Sequence, residues 1–149
     1  MPVTLTPAHR RPFGASHVAG DRFADCEVAE IMTHGVVCIS EDASLHDVQQ
    51  AMLAWNVHAI LAVGIHGGRP LGWITSRGLL GFVECERTLV RARDAVVEPP
   101  ATIDPGASAA EALVALSQPG VSRLLVARGA DRWPTGVVTD VDIIGLASR

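Results

Sequence analysis

The feature that most limits what this chain can fold into is that it is written twice. Gly72-Trp73-Ile74-Thr75 recurs as Gly136-Val137-Val138-Thr139, 64 residues further on. At the same offset, with no gap, Ile39 meets Ile103, Ala43-Ser44 meets Ala107-Ser108, and Asp47 meets Glu111. Ala51 and Ala115, Val57 and Val121, Leu61 and Leu125, Pro70 and Pro134, and Gly81 and Gly145 also fall in register. Caps, turns and strand ends coincide, which marks an internal structural repeat.

Each copy reads as strand, helix, strand, strand, helix. In the first, Val28 to Met32 is a short helical lead-in and Val36-Val37-Cys38-Ile39 an apolar strand. Ser40 to Ala43 is a turn. Ser44 then caps a helix, with Asp47 at the third position of a capping box. Leu45, Val48, Met52 and Trp55 recur at helical spacing and mark a buried face. Asn56 stops the helix, His58 to Val63 is a strand, and Gly67-Gly68 sit in the hairpin loop before Leu71 to Thr75. A second helix starts at Ser76 with Leu79, Leu80, Phe82 and Val83. In the second copy, Ser108 and Glu111 form the matching capping box. Glu84 to about Glu98 is expected to continue the helix of the first copy until Pro99-Pro100 ends it. The resulting division is a tail over residues 1–25, a first repeat over 26–86 and a second over 87–149. A three-stranded sheet has a face to bury, so two repeats can cover one another in an α/β (α+β) fold.

A chain of 149 residues, 48% of them apolar, can bury a substantial core. With three Phe, three Trp and no Tyr, aliphatic residues must do the packing. A net charge of −4 with scattered basic residues argues against a nucleic-acid partner. No apolar run is long enough for a membrane helix, and Arg10-Arg11 are followed by no signal-peptide core, so no membrane partner is expected. Cys26, Cys38 and Cys85 cannot all pair within one chain and match no zinc spacing, which suits reduced thiols in the cytoplasm. The pattern of His34, His46 and His66 does not argue for a metal site. No nucleophile, base and orienter stand in a recognisable arrangement, so the chain is not read as an enzyme.

The strand-to-helix junction from Gly136 to Ile144 gathers the polar chemistry. Thr139 or Asp140 can cap the helix. The unpaired N–H groups of its first turn can hold an anion. Thr139 supplies a hydroxyl and Asp142 a carboxylate on neighbouring faces of that turn, and a carboxylate suits the paired hydroxyls of a ribose.

Glu30-Ile31-Met32-Thr33, the strand before Ser40-Glu41-Asp42-Ala43-Ser44-Leu45, and the two Gly-apolar-apolar-Thr junctions together resemble a tandem pair of cystathionine-β-synthase (CBS) domains. The resemblance covers about Val28 to Ser148. It implies two β-α-β-β-α repeats packed through their sheets with pseudo-two-fold symmetry. It further implies a regulatory role, homodimerisation, and an adenosine-containing ligand in a cleft between the repeats. The candidates are AMP, ADP, ATP or S-adenosylmethionine, with no required cofactor.

Carried over by position, Thr139 stands where the family meets phosphate or ribose and Asp142 at its ribose-binding acid. Arg123, after Ser122, stands where some members contact phosphate, and a guanidinium suits phosphate oxygens. Val121, Val137, Val36 and Val37 are the apolar edges that can sandwich a purine. The first repeat keeps Thr75 but has Gly78 for the acid and Ala59 for the arginine, so one pocket or none is expected. Arg77 can compensate in part. His58 sits at the matching strand entry and reads as a structural or surface histidine, and Trp55 and Trp73 as packing anchors. The competing reading is a ligand-free dimerisation or protein-interaction module with degenerate pockets. In either case an effector protein must receive the output. The interface is expected at Leu79, Leu80, Phe82, Ile143, Ile144 and Leu146.

Overall fold

A computed structural model describes residues 22–86, 89–129 and 133–149. The His9-Arg10-Arg11 cluster lies outside them. In order, the elements are α1 (Val28–Ile31), β1 (Thr33–His34), β2 (Cys38–Ser40), α2 (Leu45–Trp55), β3 (Ala59–Val63), β4 (Pro70–Thr75) and α3 (Ser76–Leu79). After a connector come β5 (Thr102–Ile103), α4 (Ala109–Leu116), β6 (Arg123–Val126), β7 (Gly136–Thr139) and α5 (Asp140–Ala147). One sheet has the order β2-β3-β4, the other β1-β7-β6-β5. β2 runs parallel to β3 and β5 to β6, while β3–β4 and β6–β7 are antiparallel hairpins.

The central strands are mostly apolar, as in Ala59–Val63 and at Leu124, Leu125 and Val126, because both of their faces are covered. Ile60, Ala62 and Ile74 turn outward to Leu45, Val48 and Met52 of α2 and to Leu79. In the second repeat Leu124, Val126 and Val138 turn outward to Ala109, Ala112, Ile143 and Leu146. The alternate residues Ala59, Leu61, Trp73 and Leu125 meet between the two sheets, joined by Val36, Cys38, Val63 and Val137. The period-2 alternation of strand side chains thus divides one apolar run between two cores. Burying each of the larger side chains contributes about 1.5–3 kcal/mol.

The repeats also exchange their lead-ins. α1 belongs by sequence to the first repeat, yet Val28 and Ile31 pack in the core of the second. The equivalent 3-10 segment Ala92–Ala95 packs Ala92 and Ala95 in the core of the first. The backbone contacts are reciprocal. Val28 N donates to Ala107 O and Ala92 N to Ala43 O, both at 2.8 Å. Ala109 N donates to Cys26 O at 2.7 Å, and Leu45 N to Val90 O at 2.9 Å. Beyond each lead-in the chain crosses the last strand of the other repeat: Thr33 pairs with Val137, and Trp73 forms a bridge with Glu98.

Helix ends follow their sequence signals. Ser44 Oγ accepts from Asp47 N at 3.1 Å. Ser108 and Glu111 bond reciprocally at 3.1 and 2.9 Å. Asn56 ends α2 with φ of 51°, a conformation Asn tolerates better than most residues.

Three expectations are corrected. The connector does not prolong α3, which gives way to a 3-10 turn at Leu80–Phe82. Gly78 and Gly81 weaken the helix there, and a separate turn starts where Asp94 Oδ2 accepts from Arg91 N at 3.1 Å. The tail does not extend through Asp25, because residues 22–25 are helical and Phe23 is buried against the second repeat. Trp55 does not join the buried face of α2; it is 68% exposed.

Candidate functional site

The sheets separate at one edge to leave a cleft of about 770 Å³. The segment from Thr33 to Cys38 forms one wall, with Val36 and Val37 between β1 and β2. Val137, Thr139 and Arg123 line it from the second repeat, and Trp55, Val57, His58, Ala59 and Trp73 from the first. It is mainly apolar and contains no carboxylate among its lining residues. Such a chamber suits a flat apolar group carrying an anionic end.

Thr139 ends β7 and is the N-cap of α5, in a capping box with Asp142. Asp142 Oδ2 accepts from Thr139 N at 2.8 Å and from Thr139 Oγ1 at 3.3 Å. Asp142 is half-buried beside the cleft rather than among the residues that line it. One of its oxygens is committed to the cap, which holds the carboxylate at the cleft edge.

Arg123 opens β6 opposite Thr139. Its guanidinium carbon lies 5.5 Å from the centroid of the Trp73 ring. That places it within the range of a cation–π contact. Its Nε donates to Ser122 Oγ at 3.1 Å. Trp73 is itself buried, and among the described residues its Nε1 is the one buried side-chain nitrogen or oxygen without a hydrogen-bond partner.

The fold therefore brings Val36, Val37, Arg123, Val137 and Thr139 together on the cleft, sets Asp142 beside it and leaves Val121 and Ser122 outside its lining. Val121 packs at the border of the second-repeat core. Ser122 faces Glu98, whose carboxylate accepts from Ser122 Oγ at 2.8 and 3.0 Å and from Ser122 N at 3.2 Å. Sequence reasoning missed His34 and the role of Trp55, exposed at the cleft. His34 reaches the cleft through the crossing of the lead-in, which becomes visible only once the exchange is known, whereas Trp55 stands at the C-terminal end of α2.

The matching positions of the first repeat are filled by the chain itself. Thr75 Oγ1 accepts from Gly78 N at 2.9 Å. A Cβ added to Gly78 would lie 3.1 Å from both Thr75 Oγ1 and Val97 Cγ1, so Val97 covers the place where the acid would stand. Burial pushes the Cys38 thiol above its ordinary pKa, keeping it neutral at the cleft wall. Among the described residues no group of three His, Cys, Asp or Glu could hold a metal ion, and no helix is long and apolar enough to cross a membrane.

The CBS domain model matches residues 28–84 and 92–149. A comparison with curated protein sequences finds no match. Among solved structures, the CBS domain of a bacterial CNNM/CorC family Mg2+ transporter in complex with ATP is similar, with a TM-score of 0.77 at 20% identity. The match covers 90% of this chain and 94% of that one. The CBS domain of a CBS-domain-containing membrane protein from Sphaerobacter thermophilus has a TM-score of 0.70 at 20% identity, covering 89% and 94%. Hypoxic Response Protein I, described with two coordinated zinc ions, has a TM-score of 0.65 at 24% identity, covering 80% and 97%.

Proposed function

The chain belongs to the CBS-domain family, with two repeats in tandem, and from that premise we propose that it is a regulatory module sensing an adenosine-containing ligand. The observation that carries this reading is the convergence of Val36, Val37, Val137, Thr139 and Arg123 on one cleft. The purine lies between the apolar edges, the ribose meets Asp142 at the mouth, and phosphate meets Arg123 and Thr139. AMP, ADP, ATP and S-adenosylmethionine are the candidate ligands. The ATP complex of a protein with a similar fold supports the nucleotide class. The module regulates rather than catalyses. It acts in the cytoplasm as a homodimer and passes its state to an effector protein.

A bound ligand touches both repeats, so it favours whichever relative packing it fits better. Thermal melting with each candidate ligand tests the reading. Ligand at a hundred times its Kd stabilises the fold by about 2.7 kcal/mol, which raises Tm by several degrees. An unchanged Tm with all of them at millimolar concentration transfers the case to a ligand-free interaction module.

A further inference from the structure

We propose that Ser122 and Glu98 are positioning residues for Arg123, and that they set the preference of the cleft for phosphorylated over unphosphorylated ligands. The inference rests on the ligand reading above. Four residues form a closed ring across the two repeats. Glu98 O accepts from Trp73 N at 2.8 Å. The Glu98 carboxylate accepts from the Ser122 hydroxyl at 2.8 Å. Ser122 Oγ in turn accepts from Arg123 Nε at 3.1 Å, and the guanidinium carbon lies 5.5 Å from the centroid of the Trp73 ring.

A hydroxyl has a single proton to donate. Because Glu98 takes that proton, the lone pairs of Ser122 Oγ are left to receive Arg123 Nε–H. The side chain is thereby held at one nitrogen and on one face. Among the described residues its two terminal nitrogens, the donors a phosphate takes in a forked pair, make no hydrogen bond. Arg123 and Trp73 line the cleft, while Ser122 and Glu98 do not. The pair therefore acts through Arg123 and not on the ligand.

The repeat supplies an internal comparison. The positions 64 residues away from Glu98, Ser122 and Arg123 are His34, His58 and Ala59, with Val137 matching Trp73. None of them can rebuild this ring around a guanidinium. Among the described residues the arrangement occurs once, next to the one arginine of the cleft lining.

An untethered arginine must be ordered when phosphate arrives, and ordering a long side chain weakens binding roughly threefold to tenfold. Isothermal titration of wild type, Ser122→Ala and Ser122→Thr with ATP, AMP and adenosine tests the proposal. Ser122→Ala should weaken ATP and AMP by roughly threefold to tenfold and leave adenosine unchanged. Ser122→Thr keeps the hydroxyl and should restore the wild-type ratio. Equal weakening of adenosine, or an unchanged ATP-to-adenosine ratio in Ser122→Ala, overturns the positioning role while leaving the ligand site standing. If wild type binds none of the three and S-adenosylmethionine fails as well, the ligand reading falls and takes this inference with it.

Discussion

Gly72 and Gly136 are glycines because another segment of the chain crosses directly over each, the connector at Glu98 over Gly72 and β1 over Gly136. A Cβ on Gly72 would lie 2.6 Å from Glu98 O, and one on Gly136 2.6 Å from Thr33 O. Both clashes are with backbone, which cannot turn aside as a side chain can. Gly136→Ala should therefore cost about 1–3 kcal/mol in a urea titration. Gly145 in α5 has nothing within 4 Å of an added Cβ, so Gly145→Ala should stabilise by roughly 0.4–1 kcal/mol. Asp142 carries two roles that substitution can separate. Asp142→Ala removes its half of the capping box, the hydrogen bond it accepts from Thr139 N, worth about 1 kcal/mol of stability, and the proposed ribose contact, worth about tenfold to a hundredfold in affinity. Asp142→Asn keeps an oxygen for Thr139 N–H, so Tm should stay near wild type while nucleotide affinity falls. Equal loss of Tm in both variants would show that the carboxylate charge, not the cap oxygen, matters to the fold.

At the level of elements, the exchange of lead-ins makes each repeat depend on the other. Removing residues 1–34 would expose the second-repeat core now covered by Phe23, Val28 and Ile31. The expected cost is roughly 5 kcal/mol, a large part of the stability of a domain this size. Circular dichroism and urea denaturation of the truncated chain would report it. A cooperative transition at the wild-type midpoint would contradict the exchange. The order of elements was legible in the sequence because Ser44, Ser108 and Asn56 act locally, through caps that need no tertiary partner. The exchange was not legible. Val28 and Ala92 are apolar whichever repeat they cover, and an offset relates positions without saying which copy a segment joins. Trp55 misled for a related reason. It lies ten residues beyond Leu45, about 80° away from that side chain around the helix, at the edge of the stripe where burial is decided by the neighbour. Of the cleft lining, Arg123, Thr139, Val36, Val37 and Val137 were legible as a pattern. The diversion of Ser122 to Glu98 was not, because those residues meet only after the connector has crossed β4.

The molecule as a whole still presents apolar surface. Leu79, Ile143 and Leu146, expected at a dimer interface, are spent in the cores of their own repeats. Leu80, Val83, Val141 and Ile144 remain more than 60% exposed. These four are the better candidates for self-association. Light scattering at micromolar concentration should give the mass of a dimer, and Ile144→Glu should shift it toward the monomer. An unchanged dimer in that variant would place the interface elsewhere.

One cleft, and not its mirror, is expected to take an adenosine-containing ligand. Amide chemical-shift mapping during titration with ATP addresses both presence and place in one measurement. Saturable shifts are expected at Val36, Val37, Arg123, Val137 and Thr139, with Thr75 and Gly78 nearly still. Shifts centred on Thr75, Gly78 and Val97 would contradict it, and so would a spectrum that ATP and S-adenosylmethionine both leave unchanged.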